Sequence, residues 1–131
     1  MARLADQMLI VVGASAGGVE ALKKLVAQLP SDLPAAVFIV NHISPDTTGE
    51  AMVRILDEAG PLRCQHPKNK EVFSNGKIYI APSDHLMLID GQIILLTKGA
   101  RENRFRPAID LFFRSAAIAH GNRVIGVILT G

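Results

Sequence analysis

The chain has 131 residues, of which 49% are hydrophobic, enough for one domain with a real core and too few to expect two. Fourteen Lys and Arg oppose twelve Asp and Glu, a net charge of +2 that is too weak to argue for nucleic acid as a partner. The single cysteine, Cys64, excludes an internal disulfide framework and a cysteine-based zinc site, and no apolar run approaches the ~20 residues of a membrane span or resembles a leader, so a cytoplasmic protein without membrane insertion is expected.

Met8 to Val12 is an apolar run of strand length. A turn of Gly13, Ala14, Ser15, Ala16, Gly17 and Gly18 follows, and then a helix whose apolar positions Val19, Leu22, Val26 and Leu29 share one face. A glycine-rich corner between strand and helix places the Ser15 hydroxyl at a strand's carboxyl end, beside the unpaired N–H groups that begin a helix. The helix dipole and those amides can stabilise negative charge there, which suits a nucleophile. The competing reading of Ser15 is a helix N-cap.

Pro30, Ser31, Asp32 and Pro34 break the helix, and Ala35 to Val40 is a second buried strand ending at Asn41 and His42. A strand–helix–strand unit this short implies parallel strands, so Ser15 and His42 are expected on one rim of the sheet. Ser44, Pro45 and Asp46 offer a second helix start, with a stripe of Met52, Ile55, Leu56 and Ala59 closed by Gly60 and Pro61. Leu62 to Gly76 reads as polar surface loops with one short strand around Glu71 to Phe73.

Lys77 to Ala81 is a strand stopped by Pro82. Leu86 to Ile89 and Gln92 to Leu96, joined by Asp90 and Gly91, form an antiparallel hairpin. A charged loop with Arg101, Arg104 and Arg106 leads to Pro107 at the start of a third helix, whose buried face is expected to be Ile109, Phe112, Phe113, Ala116 and Ala117. Val124 to Leu129 reads as an interior parallel strand. The fold class is therefore α/β: a doubly wound, mostly parallel, Rossmann-like sheet with a short antiparallel hairpin section.

GASAGGVEAL, the strand ending NHIS, IYIAPSDHLML, RENRFRPAIDLFFRSAA and RVIGVILTG occur in the order seen in one family. On these motifs the chain, from about Met8 to Gly131, resembles the catalytic domain of the CheB family of chemotaxis protein-glutamate methylesterases. The resemblance implies hydrolysis of γ-glutamyl methyl esters, and often deamidation of glutamines, on methylated chemoreceptor helices, without a cofactor or metal. It maps the nucleophile to Ser15 and the general base to His42; read from the chemistry alone, backbone N–H groups at Ala16, Gly17 and Gly18 can meet the oxyanion. The family's orienting aspartate follows a TG pair, here Thr130 and Gly131, and so falls beyond the sequence. On that mapping residues 1–131 form one domain, incomplete at its carboxyl end, without the receiver domain of many relatives and impaired in turnover, and its open sheet edge can self-associate.

Arg104 and Arg106, with Arg101, are read as a rim facing carboxylate-rich receptor helices, against the alternative of a solvated loop. Asp110 is read as a dipole-stabilising first-turn carboxylate and Asp84 as a turn residue. His85 is a rim residue in one reading, while His66 and His120 are expected on the surface. Cys64 has no indicated histidine partner and reads as structural. A phosphate- or nucleotide-binding module is the alternative class, although G-A-S-A-G-G is not G-x-G-x-x-G and no ribose-binding acid ends the second strand. A catalytically dead scaffold is the third.

Overall fold

A computed structural model of the chain describes residues 7–15, 18–41, 49–83, 85–98 and 107–129. The apolar runs become strands β1 (Met8–Ala14) and β2 (Ala35–Asn41), joined through helix α1 (Val19–Gln28). Helix α2 (Gly49–Ala59) leads to β3 (Arg63–Gln65), β4 (Glu71–Val72) and β5 (Lys77–Ile80). The hairpin β6 (His85–Asp90) and β7 (Ile93–Lys98) precedes α3 (Pro107–His120), a single 3-10 turn and β8 (Val124–Leu129).

Five strands form a parallel sheet in the order β3-β5-β2-β1-β8. The hairpin is not a section of that sheet. With β4 it makes a separate three-stranded antiparallel sheet in the order β4-β7-β6. Its turn is Gly91–Gln92, one residue later than the sequence suggested, and Gly91 takes a φ of 59°, the left-handed region where glycine carries no side-chain penalty.

Side chains alternate across the parallel sheet with the period of two that a strand imposes. Val12, Ala14, Val37, Ile39, Ile78 and Ile80 pack toward α1 and α2, where Leu22, Val26, Met52 and Leu56 are buried. Leu9, Val11, Phe38 and Tyr79 face the other way, toward Phe112 and Ala116 of α3 and Met87 and Ile94 of the small sheet. Phe38 is the hub of that layer, stacked on Tyr79 at 5.5 Å and edge-on to Phe73 at 5.1 Å. Ser115 docks the small sheet on α3: its Oγ donates to the Phe112 carbonyl and accepts from the Ile89 N–H.

Several expectations need correction. Arg63–Gln65 is a strand of the main sheet rather than loop; three residues are too few to show a period, and their pairing with β5 is what makes them a strand. Cys64 is buried there, its N–H bonded to the Asp57 carboxylate at 2.8 Å. Ala117 is exposed, because α3 turns Ala116 and Ala119 inward instead. Strand β8 is parallel to β1 as expected, and among the described strands it is the last in the order, with Ile125 49% and Ile128 62% exposed. His66 and His120 are half-buried rather than free at the surface: His120 Nε2 donates to the Gly91 carbonyl, with its ring against Phe73.

Gly60, which the sequence marks as a helix stop, also sets how closely α1 and α2 approach. A Cβ on it would lie 2.4 Å from the Val26 carbonyl oxygen.

Candidate active site at the carboxyl rim of the parallel sheet

All five parallel strands point their carboxyl ends at one rim, the usual location for sites in open α/β sheets. Strands β1, β2 and β8 end level: Ala14 is in register with Asn41 on one side and with Leu129 on the other. Ser15 leaves the end of the strand between them, exposed to solvent. Its backbone N–H donates to the Leu129 carbonyl, and its own carbonyl accepts from the Gly18 N–H at 2.9 Å, closing a tight corner before α1.

The N-cap position of α1 is occupied by Gly18, with no side-chain cap bond. Ser15 is therefore not the N-cap residue of α1. The Gly18 N–H is engaged with Ser15 in this corner, so it is not an open oxyanion donor here. Ala16 and Gly17 lie outside the described residues, as do His42, Asp84, Arg101, Arg104, Arg106, Thr130 and Gly131. What the described residues do fix is the approach to His42: Asn41, its neighbour in sequence, stands level with Ala14, the neighbour of Ser15.

The first turn of α3 reaches the same place. A Cβ on Gly13 would lie 2.8 Å from Ile109 Cγ2, so the bare glycine lets α3 begin against the end of β1. Asp110 is exposed in that turn. His85 opens β6 in the small sheet, with Nδ1 2.7 Å from the Ser83 carbonyl.

Two rim residues escaped the sequence reading. Asn41 carries a carboxamide whose Oδ1 and Nδ2 are both shielded from solvent without a hydrogen-bond partner, the only such side chain among the described residues. An unmet buried amide of this kind costs about 1–3 kcal/mol. His66, just after β3, bonds through Nδ1 to the Ile80 carbonyl at 2.8 Å. Its signal was hidden because β3 itself was. Cys64 is no rival nucleophile: burial, then the nearby Asp57 charge, push its thiol up to about 12, leaving it protonated at neutral pH.

No helix among the described residues is long and apolar enough to cross a membrane. The family model for CheB methylesterase matches residues 10–131. A protein-glutamate methylesterase/protein-glutamine glutaminase of Methanosarcina acetivorans is 36% identical over 137 aligned residues, covering 98% of this chain and 38% of that protein. Its namesake in Dechloromonas aromatica is 40% identical over 131 residues, covering 97% and 37%. The crystal structure of the Thermotoga maritima CheB methylesterase catalytic domain superposes with a TM-score of 0.85 at 31% identity, covering 95% of this chain and 68% of that one. The chain thus spans less than two fifths of the length of these two curated relatives, and about two thirds of the solved domain. With a level strand rim, a serine corner at the end of its central strand and a match along almost its entire length, the chain belongs to the CheB methylesterase family.

Proposed function

We propose that this chain carries the nucleophile and base of a protein-glutamate methylesterase that also deamidates glutamine, acting on methylated cytoplasmic helices of chemoreceptors. The observation that carries the reading is Ser15, exposed immediately after β1, whose last residue Ala14 is in register with Asn41, the residue before His42. Ser15 Oγ attacks the γ-carbonyl while His42 takes its proton, and the tetrahedral intermediate expels methanol, or ammonia from glutamine, protonated by His42. Water then attacks the acyl-serine by the same proton path, releasing glutamate and restoring Ser15. Backbone amides at Ala16 and Gly17 stabilise the oxyanion, and the orienting carboxylate comes from sequence that follows Gly131 in the family.

The test is active-site labelling. A fluorophosphonate should attach to the chain once, at Ser15, and a γ-glutamyl methyl ester should compete with it. A chain that instead retains a nucleotide or phosphate ligand and takes no label would place it in the binding-module class.

The arginine loop serves this reaction as a substrate rim. Support comes from Ile109 against Gly13: the helix that the loop enters starts beside the end of β1. Receptor helices rich in carboxylates are attracted by Arg101, Arg104 and Arg106. Arg104→Glu should lower kcat/KM on receptor by on the order of tenfold at low salt, with the deficit fading at high salt and absent on a small ester. An unchanged salt profile would make the loop a solvated one.

Self-association through β8 completes the partner proposal. Its sequence VIGVIL has no charge or proline to blunt an open edge, and Ile118 of α3 adds a side chain 81% exposed. Sedimentation should show concentration-dependent dimers that Ile128→Lys disperses; a monomer throughout would remove the proposal.

A further inference from the structure

The two faces of the small sheet have different fates. Met87, Ile89, Ile94 and Leu96 point into the layer against α3. Strand alternation turns Leu86, Leu88, Ile93 and Leu95 to the opposite face, where Leu88 stands across from Leu95, and Ile93 across from Val72 of β4. None of these five side chains belongs to either core layer or packs against one. Val72 is 63% exposed. An apolar strip thus crosses all three strands, a surface of the kind that marks a protein interaction site.

Its border says what kind of partner fits. Lys68 and Lys70 are exposed on the turn that leads into β4, and the Lys70 N–H donates to the Ile94 carbonyl beside the strip. The neighbouring carboxylate, Glu71, is already committed: one oxygen accepts from the Lys68 N–H at 2.9 Å and the other from the Gln65 carboxamide at 3.0 Å. Neither lysine forms an ion pair among the described residues. Asp90, the carboxylate on this face, sits apart at the hairpin turn, in register with Ile93. The complementary partner therefore carries an apolar stripe flanked by carboxylates, which is the pattern of an acidic amphipathic helix. The strip also starts near the reactive rim, because only a short loop separates the end of β5 from the start of β6. A helix of twenty residues spans about 30 Å, so one that presents its glutamyl ester at the rim can lie along the small sheet as well. We infer that the outer face of the small sheet is a docking surface for a receptor helix, separate from the helical turn that reacts. The inference rests on the methylesterase reading above.

Binding of a methylated receptor cytoplasmic fragment to the whole chain tests it, with fluorophosphonate labelling of Ser15 and the thermal midpoint as controls. Leu88→Thr keeps a strand-forming residue while removing the apolar side chain, and should raise Kd by on the order of tenfold. Lys70→Asn removes a charge at a residue whose φ of 68° asparagine tolerates, and should weaken binding at low salt but not at high salt. Both variants should match the wild type in labelling rate and thermal midpoint. Unchanged receptor affinity in both overturns the inference, and so does a loss that follows the folded fraction alone. Concentration-dependent dimers that Leu88→Thr disperses, with receptor affinity unchanged, also overturn it and assign the strip to a second copy of this chain. A chain that binds the fragment through the strip but takes no label and hydrolyses no γ-glutamyl methyl ester would overturn the methylesterase reading and leave the docking surface standing.

Discussion

Ser15→Ala should abolish methyl-ester hydrolysis and fluorophosphonate labelling while leaving the thermal midpoint almost unchanged. The two halves of this expectation have separate causes. Chemically, the hydroxyl is the attacking atom of the proposed reaction, and the single cysteine cannot substitute for it because burial holds the Cys64 thiol protonated. Structurally, the side chain is exposed and α1 takes Gly18 rather than Ser15 as its cap, so the loss should stay below the ~1 kcal/mol that a true cap is worth. His42→Gln should match it in turnover. Ester turnover that survives in Ser15→Ala would end the assignment.

Among the described glycines, Gly60 should be the one whose replacement by alanine destabilises most. Its Cβ would stand 2.4 Å from the carbonyl oxygen of Val26 and 2.9 Å from the carbonyl carbon, atoms of the α1 backbone that no rotamer change can move aside. Relief requires α1 and α2 to separate, which opens the layer around Leu22, Val26 and Leu56, all fully buried. Overpacking of this kind costs about 1–3 kcal/mol or more, and for a domain of this size the thermal midpoint should fall by on the order of ten degrees. Gly13→Ala is the control. Its added methyl meets side-chain atoms, Ile109 Cγ2 at 2.8 Å and Ile128 Cδ1 at 3.2 Å, rather than backbone, so its cost should be smaller. Equal midpoints for the two variants would show that the helices re-space as freely as side chains do.

The legible parts of the fold are those where one element's own sequence decides its fate. β1 and β2 are continuous apolar runs because both of their faces in the parallel sheet are covered, and the amphipathic stripes of α1 and α2 name the residues they bury. What could not be read depends on partners. Arg-Cys-Gln has no strand pattern and becomes β3 only through pairing with β5. The place of β8 beside β1 is a property of strand order, which an apolar run does not encode. In α3, Ala116, Ala117 and Ala119 are indistinguishable by composition, and only docking on β6 and β1 decides which turn inward. At the site, a glycine-rich corner with a serine was visible, but whether the serine caps the helix depended on where α1 begins. Asn41 and His66 required knowing which polar atoms find partners, a question about three-dimensional neighbours.

The register of β8 has a consequence for the order in which the molecule matures. Leu9 pairs with Val124 and Ala14 with Leu129, so this ladder joins positions separated by nearly the whole sequence. The hairpin of β6 and β7 closes over a two-residue turn and can form within about 1–10 μs, and β1, α1 and β2 follow one another directly. Closing the β1–β8 ladder pays the largest loop entropy in the domain and comes late. The Ser15 N–H is held by the Leu129 carbonyl, at the far end of that last ladder. In refolding, helix signal and the burial of Phe38 should therefore return first, with the serine corner acquiring its final shape only in the slowest phase.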